Sequence, residues 1–193
     1  QAGRARAADA SCAQISERID TALNLGRCGL WDWDIGRGRI YWSDSMFELL
    51  GMPKTGDFLS FRDLDALTHP QDPPLSRVAE LLDRTPDLSI DHIFRMRNGR
   101  GEWTWLKARA SLARNLATGG DHLIGVAVDI TEETLRAEQN ATADMRLRDA
   151  IEAISEAFVL WDADNRLVIC NSKFQNLHGL GAKAVASGTP YGE

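Results

Sequence analysis

The chain has 193 residues, a formal charge of −6 and 44% apolar residues, which suits one globular domain with room for part of a second. The acidic balance argues against non-specific nucleic-acid binding and against an anionic membrane surface as a partner, because both need a basic face. Three widely spaced cysteines without a CxxC pair disfavour a disulfide framework and a zinc site, and make a reducing cytoplasm the default.

Residues 4–25 predict a helix, because small and apolar side chains recur at alternating steps of three and four residues. This seam consists of Ala5, Ala8, Cys12, Ile15, Ile19 and Ala22. It fits either a weak coiled coil with a second protomer or an amphipathic helix packed on its own domain. The chain begins at Gln1, inside this region, so we expect it to be a fragment of a longer protein.

The region that follows predicts a β-hairpin, short helices and three more strands. In GLWDWDIGRGRIYW, a period-two alternation leads into a Gly-Arg-Gly turn and a return strand. Ser43, the Ser60–Asp63 capping box and Asp72 are each placed to start a short helix. The predicted helices begin at residues 44, 61 and 73, and the predicted strands cover 88–96, 102–113 and 122–130. Helices segregated from a five-stranded antiparallel sheet make an α+β fold.

Residues 132–155 contain neither Gly nor Pro and predict one linker helix. The segment after it, FVLWDADNRLVICNSKFQNLHGL, repeats LWDWDIGRGRIYWSDSMFELLGM. Trp33 matches Trp161 and, with one residue deleted in the turn, Ser45 matches Ser172. A repeat at this spacing predicts a second copy of the domain that is cut off at residue 193.

Together these segments resemble the PAS superfamily of sensory domains. The resemblance is carried by GLWDWDI, GRIYWSDSMFELLG, LTHPQD, FRMRNGRGEWTWLKAR and GVAVDITEE. The last looks like the Asp-Ile-Thr that closes many PAS domains and launches a signalling helix, so Asp129, Ile130 and Thr131 are predicted to relay a signal. The second copy resembles the PAS repeats of alphaproteobacterial sensor histidine kinases, nearest to the PleC/DivJ group that controls cell-cycle phosphorelays.

The resemblance implies a five-stranded antiparallel sheet with short helices on one face, flanked by signalling helices at both ends. We expect four regions along the chain. They are an amphipathic, coiled-coil-like helix at 1–28, a PAS domain at 29–131, a signalling helix at 132–155 and a truncated second PAS domain at 156–193.

No catalytic constellation stands out in the sequence, which lacks a Ser-His-Asp or Cys-His set, an HExxH motif and clustered carboxylates. We therefore expect no enzymatic activity and no metal in this fragment. Flavin-binding PAS domains carry a reactive cysteine in a context that Cys170 lacks. Haem-binding PAS domains use a helix histidine, which the helix predicted at 73–83 lacks. Haem and flavin are thus disfavoured, while a small organic ligand and an empty relay domain both stay open.

Strand alternation selects the candidate pocket residues. His92 alternates with Ile90 and Phe94, which makes it the polar group suited to orient a ligand if that face is the pocket. A hydrogen-bonded core histidine is the commoner arrangement. Leu106 and Trp33 complete the set of candidates.

The stretch NGRGEWTWLKAR predicts a tight turn followed by a strand. Trp103 and Trp105 share one face of this strand with Lys107 and Arg109, and we expect that face to be covered by a helix or by a second protomer. The candidate dimer residues are therefore Trp103, Trp105, Ile15 and Ile19.

We expect a non-enzymatic sensory, dimerisation and relay module of a sensor histidine kinase in a two-component phosphorelay. It would form a cytoplasmic homodimer, signal to a downstream kinase module and contact neither nucleic acid nor membrane, although the parent protein can be membrane-anchored. One alternative is a platform that binds a regulatory protein and no small molecule. Another is the input domain of a diguanylate cyclase or phosphodiesterase.

Overall fold

The structure is a computed structural model that describes residues 14–15, 17–54, 56, 58–77, 89–114, 120–181 and 185–190. It divides into two compact units, residues 1–134 and 135–193. Among the described residues, no helix has both the length and the apolar character needed to cross a membrane.

The first unit is built on one antiparallel sheet of six strands in the order β3-β2-β1-β6-β5-β4. The strands are β1 (Cys28–Asp34), β2 (Arg39–Trp42), β3 (Phe58–Leu59), β4 (Ser89–Arg97), β5 (Trp103–Arg114) and β6 (Asp121–Asp129). The predicted hairpin and the three later strands are confirmed. The predicted count of five strands was one short, because β3 has two residues and pairs only through Ile40–Leu59 and Tyr41–Phe58. A strand that short carries no readable alternation.

Among the described residues of the first unit, four helices accompany the strands, in addition to the helical residues 75–77. They are α1 (residues 17–25), α2 (Asp44–Leu49), α3 (Phe61–Leu67) and the beginning of α4 (Thr131–Ala153). The predicted capping box opens α3, since Ser60 Oγ accepts from the Asp63 amide at 3.3 Å and the Asp63 carboxylate accepts from the Ser60 amide at 2.9 Å. Ser43 stands at the N-cap of α2 but does not cap it with its side chain. Its hydroxyl instead accepts from the Leu30 amide and bonds Ser45 Oγ at 2.6 Å.

The helix predicted from residue 73 to about 83 is described only for residues 75–77, which are helical. The prediction that Asp72 caps this helix was wrong. Asp65 Oδ1 accepts from the amides of Leu75 and Ser76, at 2.9 and 3.4 Å. The Asp72 carboxylate instead accepts three hydrogen bonds from Arg95, from its backbone N, Nε and Nη2. The tertiary partner on β4 outcompetes the local cap because a guanidinium offers a bidentate, charge-assisted site.

The core of the first unit lies on the inner face of the sheet, against α2 and α3. Along β5, Thr104, Leu106, Ala108 and Ala110 are buried, as the alternation predicted. Lys107 and Arg109 lie on the opposite face, where Arg109 is exposed and Lys107 half-buried. The outer face of the sheet is therefore the more accessible one.

The second unit repeats the strand–turn–strand–helix order of the first. After α4 come β7 (Val159–Trp161), β8 (Leu167–Cys170) and α5 (Ser172–His178). The amide of Asn171 donates to Phe158 O at 3.1 Å, as the amide of Ser43 donates to Leu30 O at 3.0 Å. Asn171 thus occupies the structural position of Ser43. The sequence alignment, which pairs Ser45 with Ser172, differs from this structural equivalence by one residue. A register shift between Leu160 and Trp161 accounts for the difference.

Candidate ligand cavity and relay junction

The inner face of the sheet encloses a cavity of about 70 Å³. Its wall is almost entirely apolar and is contributed by five strands, by α2 and α3, and by Leu75. The wall includes Trp31, Ile40, Met46, Phe61, Leu64, Leu75, Ala108, Leu123 and Ala127. A glycine on β6 shapes one side, because a Cβ at Gly125 would lie 2.6 Å from the Trp31 ring.

Three of the five candidate pocket residues, Trp33, His92 and Phe94, line this cavity. Leu106 is fully buried in the core but does not line it. The backbone of Ile90 pairs with Ala110, while its side chain lies outside the described part of the structure.

Two residues that line the cavity each have a buried nitrogen without a hydrogen-bond partner among the described residues: Trp33 Nε1 and His92 Nε2. Trp33 is 6% exposed, and its ring meets Phe61 edge-on at 4.7 Å. The His92 ring stacks on Phe94 at 5.7 Å. Buried polar atoms are nearly always satisfied, because leaving one unpaired costs about 1–3 kcal/mol. Trp33 Nε1 and His92 Nε2 are therefore exceptions to this rule within the described core.

The three predicted relay residues lie where β6 ends and α4 begins. Asp129 Oδ1 accepts from the Thr131 amide at 2.9 Å and so caps the first turn of α4. Thr131 Oγ1 accepts from the Trp105 amide at 2.9 Å, and the Ile130 amide donates to Trp105 O at 2.9 Å. The start of α4 is thereby hydrogen-bonded to β5, the strand next to the edge strand β4.

Arg27 is a fourth member of this junction that sequence reasoning missed. Its Nη2 lies 2.6 Å from Asp129 Oδ2, and its carbonyl accepts from the Asp129 amide at 3.2 Å. The hydrogen bond to Asp129 raises the pKa of the Arg27 guanidinium, so the guanidinium stays charged. Arg27 also adopts a left-handed backbone conformation, with φ of 51°. The only local signal in the sequence was an arginine directly after a glycine that ends a helix. This signal does not predict a partner 102 residues away.

The candidate dimer residues lie at accessible positions. Ile15 and Ile19 are 53% and 48% exposed, and Trp103 is 39% exposed. Other residues of the first unit cover part of the surface of Trp103 and Trp105. The His69 ring meets Trp103 at 4.5 Å, and the Arg95 guanidinium lies 5.0 Å from the Trp105 ring. A loop residue and a strand residue, rather than a helix, therefore supply these two contacts.

Among the described residues, no group of three or more His, Cys, Asp or Glu side chains is arranged to hold a metal ion. The cavity therefore offers an apolar surface for packing. The junction offers a mechanical coupling, because the Asp129 carboxylate binds both the N-terminus of α4 and Arg27.

Comparisons with known proteins agree with this architecture. Residues 39–127 match the family model described as the PAS fold. The whole chain is 32% identical to 23% of the "Non-motile and phage-resistance protein" of Caulobacter vibrioides. It is 28% identical, over 78% of its length, to 30% of the sensor protein FixL of Bradyrhizobium diazoefficiens. The chain thus spans less than a third of the length of these curated relatives.

Among solved structures, a sensory box histidine kinase/response regulator from Burkholderia thailandensis is similar in fold. It superimposes with a TM-score of 0.53 and 23% sequence identity, covering 68% of this chain and 98% of that one. The matched segment, the antiparallel sheet and the short helices packed on its inner face identify residues 39–127 as a PAS domain.

Proposed function

We propose that this chain is a non-enzymatic sensory and relay module of a sensor histidine kinase in a two-component phosphorelay. The observation that carries the proposal is the double role of Asp129, which caps α4 and binds Arg27. A change in the packing of the sheet moves Asp129 relative to Arg27, and the first turn of α4 then loses or gains its cap. The proposed module acts in the cytoplasm and without haem or flavin.

The helix that receives this signal suits an output role. It has 23 residues, of which Ile151 is the buried one, and at 1.5 Å per residue it is about 35 Å long. A long helix that is exposed over most of its length can convert a small change at its start into a rotation or a fraying along its length. We propose that a kinase module in the parent protein reads this change.

The relay is tested by joining the chain through α4 to a histidine kinase transmitter module and measuring autophosphorylation. Asp129→Asn should change the rate by about fivefold, the lower range of known coupling energies, because the amide cannot hold both Arg27 and the helix cap as a carboxylate does. The matched control is Asp44→Asn, which removes an equal charge from a side chain that is 60% exposed. Equal rates for the two variants would contradict the relay.

We also propose that the module dimerises through the apolar seam that contains Ile15, which is helical and precedes α1, and Ile19 within α1. Ile15 and Ile19 are apolar, about half exposed and one helical turn apart on the same side of the helix. This arrangement favours their burial against a second copy. Replacing both with glutamate should weaken the dimer at least tenfold, measured by light scattering over a concentration series. Leu25→Glu is the control, since Leu25 is 84% exposed and lies off the seam. A monomeric unmodified chain at high concentration, or an unaffected double variant, would count against the dimer.

A second candidate function is a protein-interaction platform without a small ligand. It is favoured by the outer face of the sheet, where Ile93 and Ile124 are 48% and 41% exposed. The same relay could equally drive a diguanylate cyclase or phosphodiesterase, and the sequence of the parent protein distinguishes these outputs. The same sequence decides whether the predicted PleC/DivJ kinship holds.

A further inference from the structure

We infer that Asn171 passes a change in α4 on to the second unit, because its buried side chain binds the end of α4, the approach to β7 and the start of α5 at the same time. This inference rests on the proposed relay function, for which it names the part of the chain that receives the signal. Each end of α4 is then held by one side chain, Asp129 at its start and Asn171 at its end.

The side chain of Asn171 makes the four hydrogen bonds that a side-chain amide can make. Its Oδ1 accepts from the amides of Phe158 at 2.9 Å and Phe174 at 3.0 Å. Its Nδ2 donates to Glu156 O at 2.8 Å and to Ile151 O at 3.4 Å. Because Asn171 is 0% exposed, bulk water does not compete for these bonds.

One planar amide group therefore connects three segments of the chain. Ile151 O lies in the last turn of α4, where carbonyls lack the regular donors of the helix ladder, and it accepts from the Ile154 amide and from Asn171 Nδ2. If this turn rotates or frays, Nδ2 either follows Ile151 O or loses it. A buried N–H without a partner destabilises the protein, so the amide group follows the helix. Its oxygen moves with it, and the amides of Phe158 and Phe174 change or lose their acceptor.

Two neighbours of Asn171 add exposed contacts to the same end of α4. The Ser172 amide donates to the Glu152 carboxylate at 3.0 Å. Lys173 Nζ donates to Glu152 O at 3.3 Å and to Ile154 O. Water competes for these bonds, so they support the connection and Asn171 carries it.

The first unit shows what a smaller side chain does at this position. Ser43 Oγ accepts from the Leu30 amide at 3.1 Å, as Asn171 Oδ1 accepts from the Phe158 amide. A serine hydroxyl has a single proton to donate, and Ser43 Oγ bonds Ser45 Oγ. Among the described residues, the Ser43 side chain makes no hydrogen bond to α1. The two N–H donors are thus what asparagine adds, and they are the groups that bind the end of the preceding helix.

The test uses the full chain labelled with ¹⁵N, in which NMR follows amide hydrogen exchange residue by residue. Ala143→Gly, at an exposed position of α4, lowers the local stability of the helix about fivefold. The reporter is the Gln175 amide, which donates to the backbone oxygen of Asn171 and keeps that partner in every variant. Its exchange should become about two- to fivefold faster with Ala143→Gly. When Asn171→Ser is also present, Ala143→Gly should leave the rate of Gln175 unchanged while still accelerating the Met145 amide within α4.

The matched control is Asn176→Ser, the same chemical change at an exposed position of the same helix, which should leave the transfer to Gln175 intact. A protected Phe158 amide shows that the second unit of the Asn171→Ser chain is folded. If that variant fails to fold, the Nδ2 protons of Asn171 give the answer in a chain that retains them. Their exchange should accelerate with Ala143→Gly by the same factor as that of Gln175.

Two results would overturn the inference. One is an equal effect of Ala143→Gly on Gln175 in the Asn171→Ser and Asn176→Ser backgrounds. The other is an accelerated Met145 amide with no change at Gln175 or at the Asn171 Nδ2 protons. Hydrogen exchange is measured without any kinase output. Transfer through Asn171 combined with equal autophosphorylation rates for Asp129→Asn and Asp44→Asn therefore contradicts the proposed function alone, and an intact kinase response without this transfer contradicts the role of Asn171 alone.

Discussion

Replacing Gly99 with alanine should lower the free energy of unfolding of the first unit by about 3 kcal/mol, the upper end for overpacked positions. The turn between β4 and β5 lies directly against the end of α2, where the Gly99 amide donates to Leu50 O at 2.9 Å. A Cβ at Gly99 would lie 2.0 Å from Gly51 O and 2.9 Å from Gly51 C. Both are backbone atoms, so the added methyl group forces apart two chain segments instead of displacing a flexible side chain.

Urea unfolding followed by tryptophan fluorescence measures this change, because Trp161 is the one tryptophan of six outside the first unit. Gly36→Ala is the matched control. Gly36 also lies in a hairpin turn, but its Cβ would meet nothing closer than 3.6 Å, so it should unfold within about 0.5 kcal/mol of the unmodified chain. The explanation fails if Gly99→Ala and Gly36→Ala unfold at the same urea concentration.

Removing the Asp72 carboxylate should cost about 2 kcal/mol at pH 7, the usual value for hydrogen bonds to charged groups. In the Asp72→Ala variant the Arg95 side chain, which is 22% exposed, loses its two carboxylate contacts. The loop that carries His69 and Asp72 is then held to β4 mainly by the bond from the His69 amide to Arg95 O. Loosening this loop also releases the His69 ring from Trp103.

The cost should depend on pH in a defined direction. The side-chain hydrogen bonds from Arg95 hold the pKa of Asp72 below its ordinary value. A carboxyl group whose pKa is lowered by folding stabilises the protein above its unfolded pKa, about 3.9, and this contribution is lost as pH falls through the folded value. The difference between the unmodified chain and Asp72→Ala should therefore be constant from pH 5 to pH 8 and shrink below pH 4.

The matched control for this prediction is Asp44→Ala. Asp44 forms an ion pair with Lys54 at 2.9 Å, but the two side chains are 60% and 44% exposed, and such surface pairs contribute about 0–1 kcal/mol. A stability difference for Asp72→Ala that is as small as that of Asp44→Ala, or that grows as pH falls, would contradict the assignment.

Many structural features of this protein follow from short-range sequence patterns. The alternation of Trp31 and Trp33 and the capping box at Ser60 each involve residues a few positions apart, whose contacts depend on backbone geometry alone. The same alternation put Trp33, His92 and Phe94 on the inner face, where they line the cavity. The Asp-Ile-Thr motif likewise placed the relay residues at the start of α4.

The remaining features depend on which distant segments meet. Asp72 looked like a helix cap because a local rule was available, but folding brings Arg95 to it and the charged partner prevails. The Arg27–Asp129 pair joins residues 102 positions apart, and no periodicity reports such a contact. Whether Trp33 Nε1 finds a partner depends on how five strands and two helices pack together. The sequence by itself determined most of the helices and strands, their faces and the resemblance to the PAS superfamily. Only the tertiary structure decided β3, the long-range ion pairs, the cavity and the two unpartnered atoms, because these arise from packing between segments that are remote in the chain.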